Sequence, residues 1–395
     1  MPEGISIMIP TLNGGKTFSE CLDAIAEQDY GGMVQLIVID SGSTDDTVTH
    51  AEKAGALIRR IDQKQFHHAQ TRNEAISLAT FDRVVFMVQD AVPCSNRWLS
   101  KMARALETKG VAAAYAAQIP HADATPYARF ETESIGHARL NSSFIKRINT
   151  FESFQKMPYD EAYRSVGLDN VCAIYRKEAL EKTPFPDVEF AEDLAWALKI
   201  SLLGHRISYL PHIQVRHSHN RSPDYGFRRQ IINSYWVARI MGRVRKDVSC
   251  LSFQDLAFVT RSVRALALLT IKEQWKEIGG FREKNLFVDR LLKRYPLIYR
   301  IRMWWVCLFF LKCPELLSPG KQRIVQRLHA DIAYRLKLIE DGYSLRDGKE
   351  WIDVLEQVTA NVLGRIYGEV YAGYMVKGQT PENLKNFIQP FLAGV

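Results

Sequence analysis

Three short apolar runs, each closed by a polar or turn-forming residue, constrain the N-terminal part of the chain most. They are "ISIMI" ended by Pro10, "QLIVI" ended by Asp40, and "RVVFMV" followed by Gln89 and Asp90. Such runs are short for helices and have no regular polar alternation, so both faces of each strand must be covered by protein. A fourth run, "VAAAYAA", occupies 111–117. Helical patterns fill 17–28, 46–54, 69–79 and 96–107 between and after them. This alternation predicts an α/β fold with a Rossmann-like, mostly parallel sheet between layers of helices.

In such sheets ligands bind beyond the carboxyl ends of the strands. Thr11, Asn13, Asp40, Ser41 and Asp90 all fall there. In "VIDSGSTDDT" a carboxylate closes a strand and small hydroxyl and glycine residues follow. That chemistry can hold a ribose or a base edge, although a strand-to-turn stop also explains Asp40. Asp90 stands alone at its strand end, either as a metal ligand or as a polar stop. "FAEDLAW" puts Glu192 and Asp193 at the start of a helix anchored by Leu194, Ala197, Leu198, Leu202 and Leu203. A helix N-terminus favours the ionised carboxylate, and a general base must be ionised to take a proton. First-turn acids also occur simply to complement the helix dipole. "QTRNEA" places Arg72 and Asn73 at another helix start, after His67 and His68. Arg72 can neutralise an anionic ligand or brace the Asp40 region through a bidentate pair.

From about Pro120 to Asp169 the periodicity weakens, and it returns with "NVCAIYRKEAL" and "EDLAWALKISLLG". A hairpin-like pair, "RISYL" and "IQVRH", follows, and beyond Phe227 the chain reads as helical. The change of pattern places a domain boundary near 225, giving 1–225 and 226–395. A hydrophobic content of 47% with 24% charged residues describes a folded chain. The six cysteines are scattered without a CxxC pair, which argues against a zinc site or a disulfide framework and for a reducing compartment. A core strand beginning near residue 5 leaves no room for a signal peptide, and no apolar run reaches the roughly 18 residues that span a bilayer.

Residues 221–327 contain 22 Lys/Arg against 8 Asp/Glu, a net +14, while the rest of the chain is mildly acidic. Such a block attracts an anionic partner, either nucleic acid or an anionic membrane surface. Its basic residues are interspersed with Trp, Phe and Leu rather than gathered on one polar segment, and no readout motif is present, which argues against nucleic acid. Within it, "MWWVCLFFL" (303–311) is flanked by Arg300, Arg302 and Lys312. This segment suits either a helix lying in an anionic interface or a buried bundle helix.

"IPTLN", "VIDSGSTDDT", "TRNEA" and an Asp at the end of a later strand resemble the family 2 glycosyltransferases of GT-A fold, over about residues 4–225. "FHHAQTRN", "QDAVP", "FAEDLAWALKISLLGH" and "VRHSHN" resemble more narrowly the bacterial rhamnosyltransferase branch, which uses dTDP-L-rhamnose. The resemblance implies a nucleotide-diphospho-sugar transferase domain at 1–225 and a helical, membrane-associating region at 226–395. It implies donor binding by Pro10, Thr11, Asn13, Asp40, Ser41, Arg72, Asn73, Gln89 and Asp90. In that branch the two-carboxylate metal motif is shortened to Gln-Asp-Ala, which is Gln89-Asp90-Ala91 here. The implied cofactor is Mg2+ or Mn2+. Magnesium accepts one or two protein ligands, keeps waters and takes oxygens from the diphosphate, so Asp90 and one distant ligand suffice.

By the same resemblance that distant ligand is His217 or His219. The two alternate on an extended segment, so only one is expected to face Asp90, with His217 narrowly preferred. Asp193 is implied as the general base, and Glu192 as the residue that orients it or binds the acceptor. Arg221, Arg228 and Arg229 are candidates for a flap over the diphosphate. The implied reaction is an inverting transfer of L-rhamnose to a lipid-linked glycan in O-antigen or similar surface polysaccharide synthesis. It would take place in the cytoplasm, at the inner face of the membrane. A UDP-sugar donor, galactosyl or N-acetylhexosaminyl, is the second reading. A nucleotide-sugar-binding pseudoenzyme and a non-enzymatic nucleic-acid- or membrane-binding protein are more distant ones.

Overall fold

The computed structural model describes residues 3–134, 144–146, 148–246, 248, 251–260, 262, 263, 267, 319–343, 345, 348–378 and 380–392. They form two compact units, one of Met1–Ala124 with Glu131–His219, the other of Thr125–Phe130 with Asn220–Val395.

The first unit opens with β1 (Gly4–Thr11), α1 (Gly15–Ala26), β2 (Met33–Asp40), α2 (Thr47–Lys53), β3 (Leu57–Arg60), α3 (His68–Leu78) and β4 (Arg83–Met87). It continues through β5 (Val92–Pro93), α4 (Trp98–Ala105), β6 (Val111–Ile119), the end of α5 (Pro126–Ser134, whose residues up to Phe130 are counted with the second unit), β7 (Phe144–Lys146), α6 (Phe151–Lys156) and α7 (Tyr159–Val166). β8 (Cys172–Arg176), α8 (Lys177–Lys182), α9 (Glu192–Leu202) and β9 (Arg206–Arg216) complete it. The strand order is β3-β2-β1-β4-β8-β6-β9-β5, with β7 also on β9. β3, β2, β1 and β4 run parallel. β8 is inserted antiparallel between β4 and β6, and β6 runs parallel to β9.

All four apolar runs are strands of one α/β sheet, and the sheet is mixed. The reason those runs lack polar alternation is visible in the core. Along β1, Ile5, Ile7 and Ile9 join one hydrophobic cluster while Met8 joins the cluster on the opposite face. Along β2, Leu36 and Val38 face the first cluster, Ile37 and Ile39 the second. α1 and α4 close one face through Phe18, Leu22, Trp98 and Met102. α3 and α9 close the other through Ala75, Ile76, Trp196 and Ile200. Each such buried aliphatic side chain contributes about 1.5–3 kcal/mol.

The expected hairpin at 206–217 is instead one strand, β9. Its pairing with β6 jumps from Ala116↔Leu210 to Ala117↔Gln214, so Pro211–Ile213 bulge out of the ladder. Pro211 has no N–H to offer a neighbour, which makes a bulge, not a turn, the local solution.

Helices of the second unit include α10 (Pro223–Met241), α11 (Pro319–Gly342), α12 (Gly348–Val376) and α13 (Glu382–Leu392). α10 starts where the Ser222 hydroxyl accepts from the Tyr225 N–H, with Pro223 in its first turn, and stops at Gly242 with φ +68°. α12 packs on α10 through Gly364 and Gly368, where a Cβ would lie 2.3 Å from the Phe227 carbonyl oxygen and 2.4 Å from that of Ile231. Among the described residues no helix is long and apolar enough to cross a membrane. Residues 303–311 and their basic flanks lie outside the described residues.

Candidate active site

The carboxyl ends of β1 and β2 build a stitched pair of loops. Asp40 is buried, and its carboxylate accepts from Thr11 Oγ1 (3.0 Å), from the Gly42 and Ser43 N–H groups (both 3.1 Å) and from Ser43 Oγ (2.5 Å). Ser41 donates its hydroxyl to the Thr11 carbonyl (2.9 Å). Asn13, at φ +49°, accepts from the Thr44 N–H (2.8 Å), and its own N–H donates to Ser43 Oγ (2.9 Å). Gln89 spends its whole amide on Leu12, accepting from the N–H (2.8 Å) and donating to the carbonyl (3.1 Å). Pro10 is half-buried at the end of β1, opposite Ile39. Thr11, Asp40, Ser41 and Gln89 therefore shape the loops. The surface they present is a cleft lined by Asp40, Gly42, Ser43, Thr44, Asp45 and Arg60.

Asp90 lies in the turn after β4. The two-residue strand β5 pairs with Val215 and Arg216 of β9, and this short antiparallel contact carries Asp90 to the residues just past β9. His217 Nε2 is 3.7 Å from Asp90 Oδ1 and His219 Nδ1 is 3.5 Å from Asp90 Oδ2. One ligand atom from each residue lies within 4.8 Å of the others. The expectation that only one histidine faces Asp90 is corrected here. Side-chain alternation holds within a strand, but β9 ends at Arg216, and the two rings meet edge to face with centroids 4.7 Å apart. One carboxylate and two imidazoles within this span are a donor set that fits a divalent cation. The sequence reading also missed His121, whose Nε2 is 3.2 Å from the Asp90 carbonyl oxygen.

At the start of α9, Ala191 adopts φ +59°, a left-handed conformation that costs a non-glycine residue about 1–2 kcal/mol. The two acids that follow point into different surroundings. Glu192 is buried, 2.5 Å from Arg72 Nη1 and 3.0 Å from Asn170 Nδ2. Burial opposes its charge, but Arg72, His68 and Asn170 outweigh that and hold its carboxyl below the usual range. Asp193 keeps partial exposure and accepts from the Asn170 N–H (3.2 Å) and the Leu194 N–H (2.8 Å). Desolvation, then the charges of Glu192 and Asp169, push its carboxyl up to about 8.

Arg72 thus braces neither the Asp40 loop nor, with its Nη1 on Glu192, an exposed anion site. Sequence could not find this partner because it lies 120 positions away. Asn73 holds the Phe185 backbone at both ends of its amide, at 2.9 and 3.0 Å, so it fixes a loop. His67 caps α3 by accepting from the Gln70 N–H (3.4 Å), and His68 Nδ1 sits 3.4 Å from Arg72. Arg228 pairs with Asp224 (2.9 Å) and Arg221 lies over the Tyr225 ring, both contacts inside the second unit.

The sequence profile described as "Glycosyl transferase family 2" matches residues 6–183. The chain is 32% identical over 249 residues to the O-antigen chain rhamnosyltransferase RfbN of Salmonella typhimurium, covering 60% of this chain and 76% of that protein. It is 33% identical over 232 residues to the O-antigen chain rhamnosyltransferase WbaN of Salmonella anatum, covering 57% and 69%. The mannosyltransferase PcManGT from Pyrobaculum calidifontis, solved with GDP-Man and Mn2+, superposes with a TM-score of 0.45 at 18% identity, over 92% of this chain and 87% of that one. With relatives this similar over most of their own length, the chain belongs to glycosyl transferase family 2.

Proposed function

We propose that the chain transfers L-rhamnose from dTDP-L-rhamnose to a growing, lipid-linked O-antigen glycan, with inversion at the anomeric carbon. The relatives named above support the sugar and the polymer. The observation that carries the chemistry is the pairing, in one unit, of the Asp90–His217–His219 cluster with an acid, Asp193, whose proton affinity is raised.

Asp193 takes the proton of the acceptor hydroxyl. The freed oxygen pair forms the new bond to the anomeric carbon from the side opposite the nucleotide, and the bond to the diphosphate oxygen breaks with its electrons. One displacement inverts the centre and needs no enzyme nucleophile. A carboxyl that titrates at about 8 is a stronger base than an ordinary Asp and is still ionised in part near neutral pH. Buried Glu192 does not reach an acceptor. It fixes Asp193 by sharing Asn170 and raises its basicity by like charge. The cleft beside Asp40 takes the nucleoside, with the loop backbone held open by the hydrogen bonds of Asp40 and Asn13.

Asp90, His217 and His219 hold a divalent cation, which when bound offsets charge on the departing diphosphate. Two imidazoles suit Mn2+ better than the harder Mg2+. The basic 221–327 block supports work at the inner membrane surface.

The test is nucleoside diphosphate release from dTDP-rhamnose, UDP-galactose and UDP-N-acetylglucosamine, with glycolipid acceptor and either Mn2+ or Mg2+. Release from dTDP-rhamnose alone, strongest with Mn2+ and lost in Asp90→Ala of unchanged melting temperature, is expected. Release only from a UDP-sugar would overturn the donor assignment, and full activity of Asp90→Ala in chelator would overturn the metal.

A further inference from the structure

A hydrogen-bonded chain runs away from the cation cluster into the sheet. Gln118, near the end of β6, lies with Oε1 2.8 Å from His217 Nδ1 and donates from Nε2 to Asp169 Oδ2 at 2.5 Å. Asp169 is itself oriented by the Val171 N–H, which donates to Oδ1 at 2.9 Å. We propose that Gln118 and Asp169 are positioning residues that hold His217 as its Nδ1–H tautomer and so turn an unprotonated Nε2 toward the cation site. This inference rests on the metal reading above.

The direction of each bond fixes the tautomer. A carboxylate only accepts, so the end of the Gln118 amide facing Asp169 is the NH2 group. The other end, facing His217, is then the carbonyl oxygen, which also only accepts. Nδ1 of His217 must therefore donate, and in a neutral imidazole that leaves Nε2 without a proton. Nε2 is the atom turned toward Asp90 Oδ1, at 3.7 Å. The reversed amide would set its oxygen against the Asp169 carboxylate with no proton between them. Without the chain, His217 can protonate Nε2 and donate to Asp90, which closes the site to a cation. Outer-sphere partners of this type orient a ligating histidine and raise its basicity.

Asp169 also precedes Asn170, whose N–H and side chain hold Asp193 and Glu192. Changing Asp169 would disturb both the cation site and the base, so Gln118 is the clean position to test. Gln118→Met keeps length and removes both hydrogen bonds.

Two measurements on the full chain separate the outcomes. In metal-free wild type, 15N–1H NMR of the histidines, with the His217 signal assigned by its loss in His217→Asn, is expected to show the proton on Nδ1. In Gln118→Met it is expected on Nε2, with Mn2+ affinity, read by electron paramagnetic resonance, lower by roughly 10–100-fold. A wild-type His217 protonated on Nε2 overturns the proposal, and so does wild-type Mn2+ affinity in Gln118→Met. If Gln118→Met does not fold, the wild-type tautomer decides alone. If wild type binds no Mn2+, the metal reading fails and the aiming role with it, whereas binding in both proteins sinks only the relay.

Discussion

Glu192 and Asp193 are neighbours in sequence, yet one carboxylate faces Arg72 in the interior and the other keeps a path to solvent. The difference has a measurable sign. Asp193 binds its proton more tightly in the folded state, so its ionised, proton-accepting form grows as pH rises through about 8. Transfer rate under kcat/KM conditions is therefore expected to climb about tenfold per pH unit on the acid side and to level above about 8. Asp193→Asn should lose roughly 10²–10⁴-fold in turnover on the plateau above about pH 8, and by a factor that shrinks as wild type itself slows at lower pH. Stability moves the other way: a raised folded pKa favours the native state while the proton stays bound, and that advantage is lost between the ordinary carboxylate range and about 8. The melting temperature of Asp193→Asn relative to wild type should rise across that window. A flat rate profile from pH 6 to 9, or a constant difference in melting temperature, would remove Asp193 from the role of base. At this scale the sequence exposes the acids, because strand ends and helix starts are local. It conceals the Arg72–Glu192 pair and the Gln118–Asp169 bond, which depend on partners 120 and 51 positions away.

The strands were legible as elements because burial on both faces leaves an unbroken apolar run, and Ile5–Ile9 and Leu36–Ile39 show both faces filled. Their order in the sheet was not legible. Nothing local to Cys172–Arg176 says that this strand separates β4 from β6 and runs antiparallel to both. The helical second unit gives the same lesson through glycine. Gly364 and Gly368 sit inside α12, where alanine would gain up to about 1 kcal/mol of helix propensity. The approach of α10 decides the sign, since the added Cβ would lie 2.3 and 2.4 Å from backbone carbonyl oxygens that have no rotamer to escape into. Gly364→Ala and Gly368→Ala are each expected to cost about 1–3 kcal/mol in denaturant unfolding, as overpacking does. Gly373→Ala, on the same helix, would meet only Val244 at 3.7 Å and should be neutral or stabilising. Equal stability of Gly364→Ala and Gly373→Ala would mean that the close approach of α10 and α12 does not hold in solution.

At the scale of the whole chain, charge is sorted along the sequence: 221–327 carries a net +14 in a protein whose total is +8. Sorting of this kind costs folding stability through self-repulsion, so it calls for an anionic counterpart. If the acceptor is lipid-linked, as proposed, an anionic membrane is the useful one, because docking would confine enzyme and acceptor to the same two dimensions. Each Lys or Arg near such a surface contributes about 1 kcal/mol, and the attraction fades over a Debye length of about 10 Å at 0.1 M salt. The full chain is therefore expected to sediment with vesicles containing anionic lipid at low salt, to release as salt rises, and to ignore neutral vesicles. Trp304, Trp305 and Phe309 separate charge from insertion. If they enter the interface, the triple serine variant stays folded, binds more weakly and becomes more sensitive to salt, since only charge remains. If they are core, the variant unfolds while wild-type binding is purely electrostatic. Wild type that fails to bind anionic vesicles even at low salt would end the membrane reading and leave the basic block to a different polyanion.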